Sequence, residues 1–196
     1  MNQAELVEAL RQFSTTELCD GMTTFRVLDS AIQRMVTTKK IVGPAFPVEV
    51  PAGRSGILPA AVEAAEPGQV MVVAAQGYTK QTCWGDHRSL CAVKKKLEGV
   101  VIDGTFRDRE GCEEVGFPIF ARGTCPRAGS KEPLGQINVP VILGDVLIRP
   151  GDIIVGDADG VVVIVPEEAE EVMERAAAKR VREEEAIRRL KESMEA

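Results

Sequence analysis

Histidine occurs once in this 196-residue chain, as His87, and the five cysteines (Cys19, Cys83, Cys91, Cys112 and Cys125) form no C-x-x-C pair. A zinc ribbon or a His/Cys zinc cluster is therefore not indicated. The odd number of thiols speaks against a complete disulfide framework, and reduced structural cysteines are expected. No stretch reaches the roughly 20 apolar residues of a membrane helix. The N-terminus, Met-Asn-Gln-Ala-Glu, lacks the basic and apolar regions of a signal peptide, and a cytoplasmic location is expected. Positive charge is also in deficit. A net charge of −6 argues against nucleic acid as a direct ligand, because binding a phosphate backbone needs a basic surface. No lysine follows an apolar strand as a Schiff-base residue would, so imine catalysis is disfavoured.

What remains is an ordinary globular composition, 44% hydrophobic and 28% charged, long enough for one domain with an added arm. Leu6, Val7, Leu10 and Phe13 recur at helical spacing, and Ser14-Thr15-Thr16-Glu17 marks a second helix start. Residues 41–50 are apolar but carry Pro44 and Pro47, which predicts an edge or bulged strand rather than a central one. A helix over 57–65 and a buried strand over 70–75 follow. Beyond Pro118, short strands are expected at 119–121, 137–143, 146–148, 153–155 and 161–165, with Asp157-Ala-Asp-Gly160 as a hairpin turn. It lacks the third acidic position and distant glutamate of a calcium loop. Helices alternating with strands early and strand-turn-strand late predict an α/β fold of two packed sheets with helices on one side, not a doubly wound sheet. Residues 1–166 then form the domain and 167–196 a helical arm. The arm's apolar stripe of Val172, Met173, Ala176 and Ala177 is interrupted by Arg180 and Glu184 and resumes at Ile187, Leu190 and Met194, a pattern suited either to fraying or to docking on a neighbouring subunit.

The chemistry concentrates between Trp84 and Asp108. Gly99–Ile102 reads as a buried strand stopped by Asp103-Gly104, with Asp103, Arg107 and Asp108 at its mouth. Upstream, Asp86 is placed to cap a helix whose apolar residues Leu90, Val93 and Leu97 recur at helical spacing and whose end carries Lys94, Lys95 and Lys96. The amides of that helix start favour an anion, and Gly85 lets it approach without a Cβ in the way. Asp108 is the best metal ligand in the chain, because a hard cation such as magnesium or manganese takes carboxylate oxygens and water. An isolated Arg-Asp pair would ordinarily be a surface salt bridge. Asp103 is divided between turn chemistry and a supporting role at the site.

Twenty residues separate Asp86 from Arg107, and Asp108 follows at once. This spacing, inside Trp84-Gly85-Asp86 and Val-Ile-Asp103-Gly104-x-x-Arg107-Asp108, resembles the 4-hydroxy-4-methyl-2-oxoglutarate aldolase and regulator of ribonuclease activity A family. The resemblance continues through Gly116-Phe-Pro-Ile-Phe-Ala-Arg-Gly123, Asn138-Val-Pro-Val, Pro150-Gly-Asp152-Ile-Ile-Val and the run from Asp157 to Pro166, covering most of the chain. It implies a swivelling β/β/α fold like the phosphohistidine domain, and trimers or hexamers. It also implies that Asp108 holds Mg2+ or Mn2+ partly through water, and that Arg107 pairs with a 2-oxo acid and stabilises its enolate. Asp86 would serve as an acid and base through water.

Two positions depart from the family pattern. His87-Arg88 stands where much of the family is apolar, and Arg88 can grip a second carboxylate. Arg54-Ser55 stands where the family often has Asp-Asn, so this loop is expected to line a pocket for another substrate. Two functions follow: a metal-assisted aldolase cleaving a 4-hydroxy-2-oxo acid to pyruvate, with oxaloacetate decarboxylation through the same enolate, or a binding protein that inhibits ribonuclease E without chemistry. Gly85, Asp86, His87, Arg88 and Arg107 form the expected substrate site, with Asp86 and Arg107 catalytic. A pure binder has no need of Asp86, Arg107 and Asp108 together.

Overall fold

The computed structural model describes residues 1–194, and its centre is a curled mixed sheet. The first four strands are β1 (Gln33–Val36), β2 (Ile41–Glu49), β3 (Val70–Trp84) and β4 (Gly99–Phe106). They are followed by β5 (Ile119–Thr124), β6 (Gln136–Ile137), β7 (Val141–Leu143), β8 (Val146–Ile148), β9 (Ile153–Gly156) and β10 (Val161–Ile164). The strand order is β1-β5-β4-β3-β2-β9-β10, with β6 beside β2 and β7-β8 as a separate hairpin. Strands β2 to β5 are parallel, and the remaining ladders run antiparallel. The helices are α1 (Gln3–Leu10), α2 (Thr15–Gly21), α3 (Leu58–Ala64), α4 (Asp86–Lys94), α5 (Arg109–Val115) and α6 (Ala169–Met194). The mixed α/β class, the helix starts at Ser14 and near Leu58, and the turn between β9 and β10 agree with the sequence expectations.

Three features differ from them. Strand β2 is central, because it hands the chain from one half of the sheet to the other: Ile41–Pro44 pair with β9 and Ala45–Glu49 with β3. Its prolines fall where no ladder donor is required. The Pro47 carbonyl accepts from Asn138 N–H at 2.8 Å, so its nitrogen faces the two-residue β6 and not β3. Ala45 exchanges hydrogen bonds with Asp152 and Gly151 on the β9 side, which turns Pro44 toward the side where the β3 ladder is only beginning. The second difference is that helices cover both outer faces. Met71, Val73, Val100 and Ile102 point to a core shared with α3, α4 and α5, and the alternate residues Val70, Val72 and Val101 pack inside the curl with Val161, Val163 and Ile154. Ile153, Val155, Val162 and Ile164 then face α1, α2 and the first turns of α6. Runs such as Val-Val-Val-Ile are buried on both faces, so they carry no alternation from which the number of covering layers could be read.

Strand β4 also runs on through Asp103-Gly104 to Phe106 instead of stopping there. Asp103 is tolerated inside the strand because its carboxylate is fully engaged: Oδ2 accepts from Gly77 N–H at 2.8 Å and Oδ1 from Arg122 Nε at 2.6 Å, with Arg122 also bound to Asp29. This anchor fastens an excursion in β3, where Gln76 and Gly77 take positive φ. Val73 pairs with Ile102, yet Trp84 pairs with Phe106, so β3 spends eleven residues where β4 spends four. The excursion brings Trp84-Gly85-Asp86 level with Phe106-Arg107-Asp108.

Candidate active site

At that shared level both strands release into helices, β3 into α4 and β4 into α5. The strand ends are tied by the Arg107 N–H to the Trp84 carbonyl at 3.1 Å. Asp86 opens α4 and Asp108 precedes α5, and each carboxylate rests against a glycine of the opposite element. A Cβ on Gly85 would lie 2.9 Å from Oδ2 of Asp108, and a Cβ on Gly111 would lie 3.0 Å from Oδ2 of Asp86. A side chain at Gly85 would displace the Asp108 carboxylate and one at Gly111 would press on that of Asp86, so each acid occupies room that a glycine leaves free. Asp108 adopts a left-handed conformation (φ 55, ψ 48), which costs on the order of 1 kcal/mol and is most tolerable for Asn or Asp among residues with a Cβ. Its side chain is 40% exposed and Oδ2 pairs with Arg107 Nε at 3.1 Å.

The result is a cleft of about 470 Å³ lined by Gly85, Asp86, His87, Arg88, Arg107 and Asp108 with Thr82, Trp84 and Ser55. The structure thus brings together all of the substrate and metal residues expected from sequence, although the caps differ. Gly85, not Asp86, is the cap residue of α4, and the Asp86 carboxylate folds back onto the His87 N–H at 2.6 Å. Asp103 is not among the cleft residues; it serves the β3 anchor described above. Arg54 turns away to pair with Glu132 at 2.8 Å, leaving Ser55 at the cleft.

Arg88 lies over the Trp84 ring, 5.7 Å from its centroid, and donates to the Cys83 carbonyl. Burial pulls its pKa down, with the neighbouring Arg107 charge acting in the same direction, and no carboxylate is among the groups that perturb it. A half-buried guanidinium without a carboxylate partner leaves donors for an anion. The expected inward stripe of α4 is rotated. Leu90 and Val93 are 58% and 44% exposed, whereas Ser89 and Ala92 are buried. Apolar spacing on a nine-residue helix does not decide its rotation; the Trp84 indole does, by donating from Nε1 to Ser89 Oγ at 2.9 Å.

The far wall is formed by Ala128, Gly129 and Lys131, from the irregular segment after β5 that no sequence signal marked. It is seated by backbone bonds from Thr82 N–H to Arg127 and from Ser55 N–H to Ser130, both 2.9 Å. Such contacts are set by the fold and leave no periodicity to read.

Among the described residues no three His, Cys, Asp or Glu side chains converge as a metal cage. The donors fit a magnesium-type ion, which retains several waters and takes one or two carboxylates, and do not fit zinc. The Gly85 cradle around Asp108 is the local feature that keeps such a carboxylate accessible.

Carboxylates and an arginine are thus gathered where two parallel strands of a mixed α/β fold release into helices. The chain belongs to the RraA-like family (Aldolase/RraA), whose model matches residues 15–163. A protein of Halalkalibacterium halodurans, provisionally named a 4-hydroxy-4-methyl-2-oxoglutarate aldolase, is 38% identical over 186 residues, covering 94% of this chain and 89% of its own. An uncharacterized protein of Methanocaldococcus jannaschii is 38% identical over 168 residues, covering 85% of this chain and 80% of its own. Among solved structures, Streptomyces coelicolor RraAS2, described as an unusual member of the RNase ES inhibitor RraA protein family, superposes with a TM-score of 0.82 at 33% identity, covering 93% of this chain and 95% of that one.

Proposed function

We propose that the protein is a divalent-metal-dependent lyase that cleaves a 4-hydroxy-2-oxo acid, such as 4-hydroxy-4-methyl-2-oxoglutarate, to pyruvate and a second oxo compound. The observation that carries this reading is the reciprocal seating of Asp86 and Asp108 beside Arg107 in one cleft. Asp108 would hold Mg2+ or Mn2+, partly through water, and the ion when bound would supply Lewis-acid polarisation of the 2-oxo group. Asp86, through a water it holds, takes the proton of the C4 hydroxyl. The C3–C4 bond then breaks, C4 becomes a carbonyl, and the electron pair passes to the pyruvate enolate, whose charge Arg107 offsets. Return of the proton to C3 completes pyruvate. Loss of carbon dioxide from oxaloacetate would generate the same enolate. Arg88, lacking a carboxylate of its own, is placed to bind a second carboxylate of the substrate.

The test is pyruvate release from a panel of 4-hydroxy-2-oxo acids and oxaloacetate, with and without magnesium. Turnover that is lost in chelator and restored by Mg2+ or Mn2+ supports the reading, and full turnover in excess chelator overturns it. The alternative, a regulator that binds ribonuclease E without chemistry, draws support from the name of the Streptomyces neighbour. A chain that never releases pyruvate yet captures a ribonuclease in pull-downs would establish it.

A homo-oligomer, trimer or hexamer, also belongs to this reading. Ile187, Leu190 and Met194 are exposed on the distal part of α6, and light scattering at micromolar concentration checks it; no helix among the described residues is long and apolar enough to cross a membrane.

A further inference from the structure

Beneath the cleft runs a buried chain of polar groups that the proposed chemistry does not use. Trp84 Nε1 donates to Ser89 Oγ at 2.9 Å, Ser89 Oγ donates to Cys112 Sγ at 3.8 Å, and Cys112 Sγ donates to the Arg107 carbonyl at 3.5 Å. The one Ser89 hydroxyl proton is shared between the Cys112 sulfur and the Gly85 carbonyl, to which Ser89 Oγ donates at 3.0 Å, so the branch to Cys112 is the longer and weaker one. Ser89 and Cys112 are fully buried and Trp84 nearly so. The chain begins two residues before Asp86 and ends one residue before Asp108, and the Arg107 N–H bond to the Trp84 carbonyl closes it into a ring.

The ring links α4 to α5 directly beneath the two carboxylates. Cys112 also donates its backbone N–H to the Asp108 carbonyl at 2.8 Å, so one residue of α5 is bonded to both Arg107 and Asp108.

We propose that Ser89 and Cys112 are positioning residues: they hold the start of α4 at a fixed distance from the start of α5, and so set the separation of Asp86 and Asp108 on which cation and substrate binding depend. The inference rests on the aldolase reading for its chemistry and on this network for its geometry. Groups that orient metal-binding carboxylates typically change metal affinity or activity by about 10- to 100-fold when removed.

The experiment measures Mn2+ binding by the loss of free-ion electron paramagnetic resonance signal, beside pyruvate release and thermal melting. Ser89→Ala is expected to weaken Mn2+ binding by about 10- to 100-fold and to lower kcat more than it raises KM. Cys112→Ser, which keeps a donor for Arg107 and an acceptor for Ser89, is expected to stay within a fewfold of wild type. Folded Ser89→Ala protein with wild-type Mn2+ affinity would overturn the proposal. If Ser89→Ala does not fold, Cys112→Ala carries the test, with weakened Mn2+ binding expected and unchanged binding overturning it. Wild-type protein that binds no Mn2+ removes both this inference and the metal-dependent reading. Mn2+ binding without pyruvate from any 4-hydroxy-2-oxo acid removes the aldolase alone, and the variants' Mn2+ affinities still decide the positioning role.

Discussion

In the layer formed by α1, α2 and α6, charges find protein partners: Arg180 holds Glu17 at 2.5 Å while lying over the Phe13 ring, Arg26 holds Glu168 at 2.7 Å, and Lys40 donates to the carbonyls that end α1. At the opposite face, where α4 and α5 start, no carboxylate among the described residues pairs with Arg88, Asp108 is left-handed and 40% exposed, and each of the two acids rests against a glycine of the other element. Both regions are rich in charge, but only the first has its electrostatics completed internally. Polar groups left open at a structured cleft are retained for something that binds there, whereas the paired groups serve the fold. Asp103 and Asp108 repeat the contrast within five residues of one strand end.

Substitutions can break this comparison from either side. Asp108→Asn tolerates the left-handed backbone and removes the charge; pyruvate release should fall on the order of 10³-fold, several kcal/mol of transition-state stabilisation, with little change in melting temperature. Unchanged turnover would place Asp108 with the surface salt bridges.

Arg107→Lys keeps the charge and loses the planar fork. Turnover should drop about 10²- to 10³-fold with a much smaller rise in KM, because the donor matters most as enolate charge develops. Steady-state kinetics on the best substrate of the panel checks it, and wild-type turnover would remove Arg107 from enolate stabilisation.

Asp103→Ala should invert that pattern. It strands Arg122, which retains only Asp29, and releases the Gly77 amide. A loss of about 3 kcal/mol is expected, the low end for breaking a buried pair, seen as an earlier urea midpoint. Normal stability with failed catalysis would move Asp103 into the site.

The smallest effect is expected at Glu17. Arg180 is the main cause that holds its carboxyl at about 2, well below the usual value, helped by Ser14. A carboxylate depressed on folding stabilises the protein above its unfolded pKa, and that contribution is lost as pH falls from about 4.5 toward 2. Arg180→Ala should flatten the stability slope in that window. The change should be under about 1 kcal/mol, because both side chains keep a quarter or more of their surface in water.

Local chemistry in the chain was enough to locate most of the cleft. The Trp84-Gly85-Asp86 and Arg107-Asp108 segments announce themselves because turn glycines, strand ends and acids at fixed spacing are local properties, and the capping boxes at Asn2 and Ser14 are likewise local hydrogen bonds. Sequence alone determined the α/β class, most of the elements and which acids stand at strand ends, but not β1, α5 or the run of β3 past Ala75. Tertiary structure alone decided that β2 is central despite two prolines, that Asp103 anchors an excursion, that α4 turns Ser89 inward and Leu90 outward, and that residues 128–131 close the cleft. Each of these depends on a partner distant in sequence: the unused ladder edge beside β6, the Gly77 amide, the Trp84 indole and the Thr82 backbone. A hydrogen bond between distant residues leaves no period in the chain that makes it.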